Sequence, residues 1–276
     1  MRQTWIGLSS FTYPFSCGIH PSQKPEALMT PIQLMDKALE LGVTCVHFSH
    51  NMPLERCSDE DLQHIRKYAM THGIRLENGM KHMTLERLRR CVVVSEQIGA
   101  KLLRIITDGP GYEPTVDEIV QILKEVIPVI EQSGLVLGIE NHDRLMAWEY
   151  GEIAKQVNHP LVGLVVDTTN SLSTEEPVEE VLKWMAPHCV CCHLKDYTIK
   201  RSNFGIGLAI VGASVGTGRQ DVQKVISYLQ NHAKQDFSTI LESWMEPCGT
   251  LEETLLQEEA WARDSVVYLK SLPYFA

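Results

Sequence analysis

Membrane-length apolar runs are missing from this chain. No stretch approaches the roughly 18–20 consecutive apolar residues that a spanning helix needs, although 44% of the 276 residues are hydrophobic. Positive charge is also scarce: 25 Lys and Arg stand against 35 Asp and Glu, a formal net charge of -10. That balance argues against a surface for nucleic acid or anionic membrane. The eight cysteines, Cys17, Cys45, Cys57, Cys91, Cys189, Cys191, Cys192 and Cys248, contain no pair of CxxC motifs, which argues against a thiolate zinc site. Several lie inside apolar patterns, where cysteine behaves as a small hydrophobe, and free thiols point to the cytoplasm. Met1-Arg2-Gln3-Thr4-Trp5 runs straight into a strand, with no signal-peptide pattern. Gly216-Thr217-Gly218 lacks the strand–turn–helix fingerprint of a phosphate loop, and a turn feeding a helix capped by Asp221 accounts for it. Compositional breaks are absent too, so one domain is expected over residues 1–276.

What is present is an alternation of short apolar runs with amphipathic segments. Trp5 to Ser10 reads as strand one. Thr30-Pro31 opens a helix that carries Leu34, Met35 and Ala38 and stops at Gly42. Strand two covers Val43 to Phe48, strand three Ile74 to Glu77 and strand four Lys101 to Thr107, with helices opened by Ser58 and Thr84 between them. Thr115-Val116-Asp117-Glu118 is a capping box for a helix ending at Gly134. Strand five leads to Glu140 and is followed by a helix from Trp148 to Val157. Strand six leads to Asp167, strand seven to His193, and a longer connection then reaches the turn at Gly216. Strand eight leads to Glu242, and Thr250 opens the last helix. Eight strand-then-helix units predict a single (β/α)8 TIM barrel with its active site at the C-terminal rim. An open doubly wound sheet is the alternative.

Four of the apolar strands close on a metal-ligating side chain. Leu135 to Ile139 runs into Glu140, Gly163 to Val166 into Asp167, Val190 to Cys192 into His193, and Ser238 to Leu241 into Glu242. A polar residue at one strand end means little; its repetition at parallel neighbours places three carboxylates and one imidazole on a common rim. That set suits one divalent ion, Mn, Mg, Co or Zn.

The run Gly138-Ile139-Glu140-Asn141-His142, the run Gly163 to Asn170, His193-Leu194-Lys195-Asp196, Gly216-Thr217-Gly218 and Leu241-Glu242 resemble the xylose-isomerase-like TIM-barrel superfamily over essentially the whole chain. In that superfamily the four strand ends bind one divalent metal, which the resemblance carries onto Glu140, Asp167, His193 and Glu242. Its endonuclease members use a larger metal cluster and a basic face, against which the acidic balance speaks. Ketose 3-epimerases usually follow the first glutamate with Pro and an Asn-Arg pair, and the metal histidine with Asn-Arg-Pro-Gly. Here Asn141-His142-Asp143 and Lys195-Asp196-Tyr197 stand in those places. The opening and the strand-five pattern are more similar to sugar-acid lyases of the superfamily, such as 3-oxo-isoapionate decarboxylases.

A metal of this kind chelates an α-hydroxycarbonyl unit and stabilises the enediolate left when a proton or a carboxylate departs. The substrate implied is a small open-chain oxo sugar or oxo sugar acid. Decarboxylation of a 3-oxo sugar acid to a short ketose is the leading expectation. An isomerase or epimerase of small ketoses or aldoses, with Glu140 and Glu242 as acid and base, is the alternative. A non-catalytic sugar- or protein-binding barrel is the third reading, against which four intact ligands speak. Lys195 shares a strand face with His193, and His142 shares one with Glu140; both are catalytic candidates beside the two glutamates. Lys81 and Arg144, near the rim, are candidates to hold a substrate carboxylate, against the plainer reading of solvated loop charges. Trp244, in step with Glu242, and Phe11, in the aromatic stretch Phe11 to Phe15, are candidate pocket walls; that stretch reads equally as core or as a dimer contact in a homo-oligomer. His47 and His50 lie near the end of strand two, where the structural reading of a lone histidine competes with a pocket role.

Overall fold

The structure is a computed structural model that describes residues 2–275. Its frame is eight parallel strands: β1 (Thr4–Ser9), β2 (Cys45–Phe48), β3 (Arg75–Lys81), β4 (Leu102–Ile106), β5 (Val136–Glu140), β6 (Val162–Asp167), β7 (Cys189–Leu194) and β10 (Phe237–Leu241). Leu8 of β1 pairs with Val46 on one side and with Leu241 on the other. The sheet therefore closes into a barrel, and the open doubly wound alternative is ruled out. An antiparallel hairpin, β8 (Asp196–Arg201) and β9 (Leu208–Ala213), is inserted after β7.

The helices α1 (Pro31–Glu40), α2 (Asp59–His72), α3 (Leu85–Ile98), α4 (Val116–Ser133), α5 (Ala147–Val157), α6 (Val178–Met185), α7 (Val222–His232) and α8 (Leu251–Ser271) surround the barrel. Thr30, Ser58, Thr84, Thr115, Asp221 and Thr250 each accept a first-turn backbone N–H with the side chain, satisfying donors that the helix leaves orphaned. Gly73, Gly99 and Gly134 end their helices in the left-handed conformation that glycine adopts without strain. The start of α5 is satisfied from the next unit: the Glu176 carboxylate accepts the Ala147 N–H at 2.9 Å.

Strand periodicity of two divides the core. On β5, Leu137 and Ile139 join the layer between barrel and helices, while Val136, Gly138 and Glu140 alternate with them toward the interior. Cys45, Leu102, Val165, Cys191 and Ile240, with Trp5 packed against them, plug the barrel below the rim. Each large apolar side chain so buried contributes roughly 1.5–3 kcal/mol, and the plug gives the rim residues a rigid floor.

Two expectations are corrected. Strand three does not stop at Glu77 but runs on to Lys81. The polar run Glu77-Asn78-Gly79 lies inside it: Asn78 Nδ2 donates to Ser95 Oγ at 3.0 Å, and Glu77 meets His47 inside the barrel. Gly79 is required there, because a Cβ would come within 2.9 Å of His47 Nε2. The connection after strand seven is also more than a loop. Asp196 gathers its two ends: Oδ1 accepts the Tyr197 and Gln220 N–H groups at 2.8 and 3.0 Å, and Oδ2 accepts those of Gly216 and Gly218 at 3.0 and 2.9 Å. The glycine turn at 216–218 thus wraps a buried carboxylate of the protein itself. No helix among the described residues is long and apolar enough to cross a membrane.

Candidate metal centre and active site

Glu140, Asp167, His193 and Glu242 are all buried, and one ligating atom from each lies within 4.8 Å of the others. Neighbouring groups aim them. The Asn141 amide accepts the Asp167 N–H at 2.7 Å and donates to the Asp167 carbonyl at 3.0 Å, clamping the ends of β5 and β6 together. Asp167 Oδ1 accepts the Thr169 and Asn170 N–H groups at 2.8 and 2.9 Å, which leaves Oδ2 for the cluster. Asn170 Nδ2 donates to Glu140 Oε1 at 3.1 Å, and Ser9 Oγ donates to Glu242 Oε1 at 3.0 Å. Such outer contacts fix the orientation of metal ligands.

The donor set fits a divalent ion by two observations. Glu140 Oε2, Asp167 Oδ2 and both ring nitrogens of His193 are buried and complete no hydrogen bond, despite ion-pair distances to their neighbours. Buried polar atoms left so are costly unless something else satisfies them. The charges agree: three buried carboxylates face the buried cations Arg104 and Lys195, which leaves a negative excess.

Each protonation state follows from this crowding. Burial pushes the Glu140 carboxyl up, but Arg104 and His193 outweigh it and hold it well below the ordinary range. Burial also raises Glu242, and His193 and Lys195 bring it down to about 2. Asp167 is raised, because burial and the other two carboxylates exceed the pull of Lys195. Burial lowers His193, yet Glu242 and Glu140 leave it raised overall. Lys195 is likewise raised against its burial by Asp167, Glu242 and Glu140, so it stays an ammonium.

A cavity of about 480 Å³ opens above the cluster. Its polar side holds Glu140, His142, Lys195 and Glu242, and its apolar side holds Phe11, Trp244 and further residues after β1 and β10. Lys195 Nζ lies 2.6 Å from Asp167 Oδ2, 3.3 Å from Glu242 Oε2 and 5.7 Å from the centre of the Trp244 ring. His142 Nδ1 sits 2.8 Å from Asp143 Oδ2.

Two candidates lie outside this cavity. Arg144 is committed elsewhere: its Nε and NH2 donate to Asp108 at 2.8 and 2.7 Å, and NH2 also donates to the Pro114 carbonyl. A guanidinium held on both edges is not free to meet a substrate carboxylate. Lys81 is half-buried at the end of β3 and does not line the cavity. His47 is buried beneath the site, 3.4 Å from Glu77, with its ring edge-on to His193 at 5.0 Å.

Arg104, His50 and Asn170 also line the cavity. Arg104 carries its own signal in the sequence, a charge in the middle of Leu102-Leu103-Arg104-Ile105-Ile106, where burial demands a partner. The His50 ring lies 5.0 Å from that of Phe11, tilted by 53°, and burial and Arg104 push its imidazole down to about 3, so it is neutral.

Residues 35–272 match the family described as xylose isomerase-like TIM barrel. Over 264 residues, 96% of this chain and 94% of the relative, the sequence is 25% identical to a 3-oxo-isoapionate decarboxylase of Pectobacterium atrosepticum. Two solved structures share the fold at low identity. D-psicose 3-epimerase in the presence of D-fructose aligns with a TM-score of 0.72 at 14% identity, over 98% of this chain and 100% of that one. The IOLI protein with a bound zinc atom aligns with a TM-score of 0.70 at 16% identity, also over 98% and 100%.

Proposed function

The chain belongs to the xylose isomerase-like TIM barrel family, and from that premise we propose that it is a divalent-metal-dependent decarboxylase of a small 3-oxo sugar acid. The observation that carries the reading is the buried cluster of Glu140, Asp167, His193 and Glu242, with two cations beside it, at the floor of a sugar-sized cavity. The relative that acts on 3-oxo-isoapionate supports it along nearly the whole chain. These four residues would hold the ion, which when bound supplies Lewis-acid stabilisation of oxyanion charge.

The chain's own residues supply the rest. Lys195 Nζ orients the substrate carboxylate without gripping it so tightly that departure as neutral CO2 is opposed. The bond to that carboxylate breaks, and its electron pair moves onto the adjacent oxo group to give an enediolate. A proton then returns to carbon, with His142 as the relay from solvent. Neutral His50, whose Nδ1 accepts from Arg104 NH1 at 3.3 Å, offers its Nε2–H to a substrate oxygen, and Phe11 and Trp244 pack against the carbon skeleton and keep water away. The product is a ketose one carbon shorter.

A second reading, isomerase or epimerase, rests on Glu140 and Glu242 both lining the cavity, as a proton-abstracting and a proton-returning carboxylate require. The test is to supply Mn to the purified protein and follow CO2 release from 3-oxo sugar acids beside interconversion of neutral ketoses. CO2 release is expected. Rapid ketose interconversion with no CO2 from any oxo acid selects the second reading.

A further inference from the structure

The β8–β9 hairpin carries an exposed apolar stripe that no part of the barrel covers. Phe204 is 93% exposed, Ile206 85%, Leu208 70%, Ile210 48% and Ile199 37%. Ile199 stands directly opposite Ile210, and Arg201 opposite Leu208, so these side chains share one face of the hairpin. The same face ends at Gly212, where a Cβ would meet Trp244 at 2.6 Å. The stripe thus starts at the wall of the cavity and runs outward to the tip. A fully exposed large side chain presents roughly 200 Å², so the five together offer on the order of 650 Å². That exceeds the usual largest patch of a monomer and approaches the ~800 Å² that each partner gives to a stable dimer.

Two more features select the occupant. β8 and β9 pair only with each other among the described residues, so each has an open edge. An isolated two-stranded sheet is marginal in water, and an open edge is self-complementary about a two-fold axis. Few charges stand in the way: residues 197–220 contain no Asp or Glu, Lys200 is paired with Glu246 of its own chain, and Arg201 and Arg219 are the remaining cations.

We propose that the hairpin is a homodimer interface, joining two copies through the face of Ile199, Leu208 and Ile210 and the tip residues Phe204 and Ile206. Sedimentation velocity, read with amide hydrogen exchange over a range of protein concentrations, tests this on the full chain. The expected mass is twice 31.2 kDa, with exchange in residues 196–213 slowing as concentration rises. The triple variant Phe204→Ser, Ile206→Ser, Leu208→Ser is expected to sediment as one chain with its melting transition retained. Should the triple variant not fold, Phe204→Ser alone, at a position that touches almost nothing in its own chain, is expected to weaken the dimer. A wild-type chain that is monomeric at about 100 µM overturns the proposal; that result would leave the stripe to a different protein. A dimer that survives the folded variant, or that leaves hairpin exchange unchanged, overturns it equally.

Discussion

Arg104 Nε lies 2.8 Å from Glu140 Oε2, with both side chains about 1% exposed. The pair stands inside the barrel at the base of the cavity, so neither charge has water to fall back on. Arg104→Met should therefore leave a buried carboxylate without its partner and cost about 3–5 kcal/mol. Adding Glu140→Gln should recover most of that loss. Urea denaturation of the single and double variants is the check, and a single variant within about 1 kcal/mol of wild type would show that Glu140 does not depend on this partner.

Metal binding should register as stability. An ion that binds only the folded state adds about 2.7 kcal/mol at a hundred times its dissociation constant. Mn or Zn should raise the melting temperature of the wild-type protein, and a chelator should reverse the gain. Glu140→Gln with Glu242→Gln should abolish the response while leaving the circular dichroism spectrum unchanged. An equal rise in wild type and double variant would place the ion elsewhere.

Lys195 separates the two reactions. If its ammonium orients a carboxylate, the charge-assisted contact is worth about 1.5–3 kcal/mol. Lys195→Met should then lower kcat/KM for the oxo acid by roughly 10- to 150-fold, with metal still bound by elemental analysis. Turnover of a neutral ketose, where any occurs, should fall far less. A uniform loss for both substrates would make Lys195 a support for Asp167 and Glu242 instead.

Glu258 gives a pH signature remote from the metal ligands. It lies on α8 and accepts the Phe15 N–H at 2.6 Å, tying down the segment after β1 that walls the cavity. Burial raises its carboxyl to about 7, although hydrogen bonds from Ser16 and Phe15 oppose the rise. The folded state thus keeps this proton to higher pH than the unfolded chain, which releases it near 4.5. Stability contributed here is full below about 4.5, falls by about 3 kcal/mol as pH rises to about 7, and is level above. Denaturation measured from pH 4 to 8 should show that slope, and Glu258→Gln should flatten it.

The closed barrel and the meeting of Glu140, Asp167, His193 and Glu242 were legible because one pattern recurs four times, an apolar run closed by a ligating side chain. Arg104 was not read, because it breaks its strand in the middle, and what makes a buried arginine tolerable is a carboxylate on the neighbouring strand, 36 positions along the chain. Arg144 was misleading for the converse reason. Its position near the rim is right, but Asp108, which captures it, belongs to a different loop. The hairpin escaped notice because Gly205, Gly207 and Gly212 mask the alternation of Ile206, Leu208 and Ile210, and because strands exposed on one face and at most half-buried on much of the other lack the apolar continuity of barrel strands.

The carboxylate of Asp196 joins the two ends of residues 197–215 at their root, and this makes the segment an exchangeable attachment. With its stems tied by four backbone hydrogen bonds, whatever lies between them can lengthen, shorten or be swapped without moving His193 or Lys195. Doubling a loop's length costs only about 0.6 kcal/mol in closure entropy. The rim chemistry and the outward-facing surface of this chain can therefore diverge separately, one under a fixed clamp and the other beyond it.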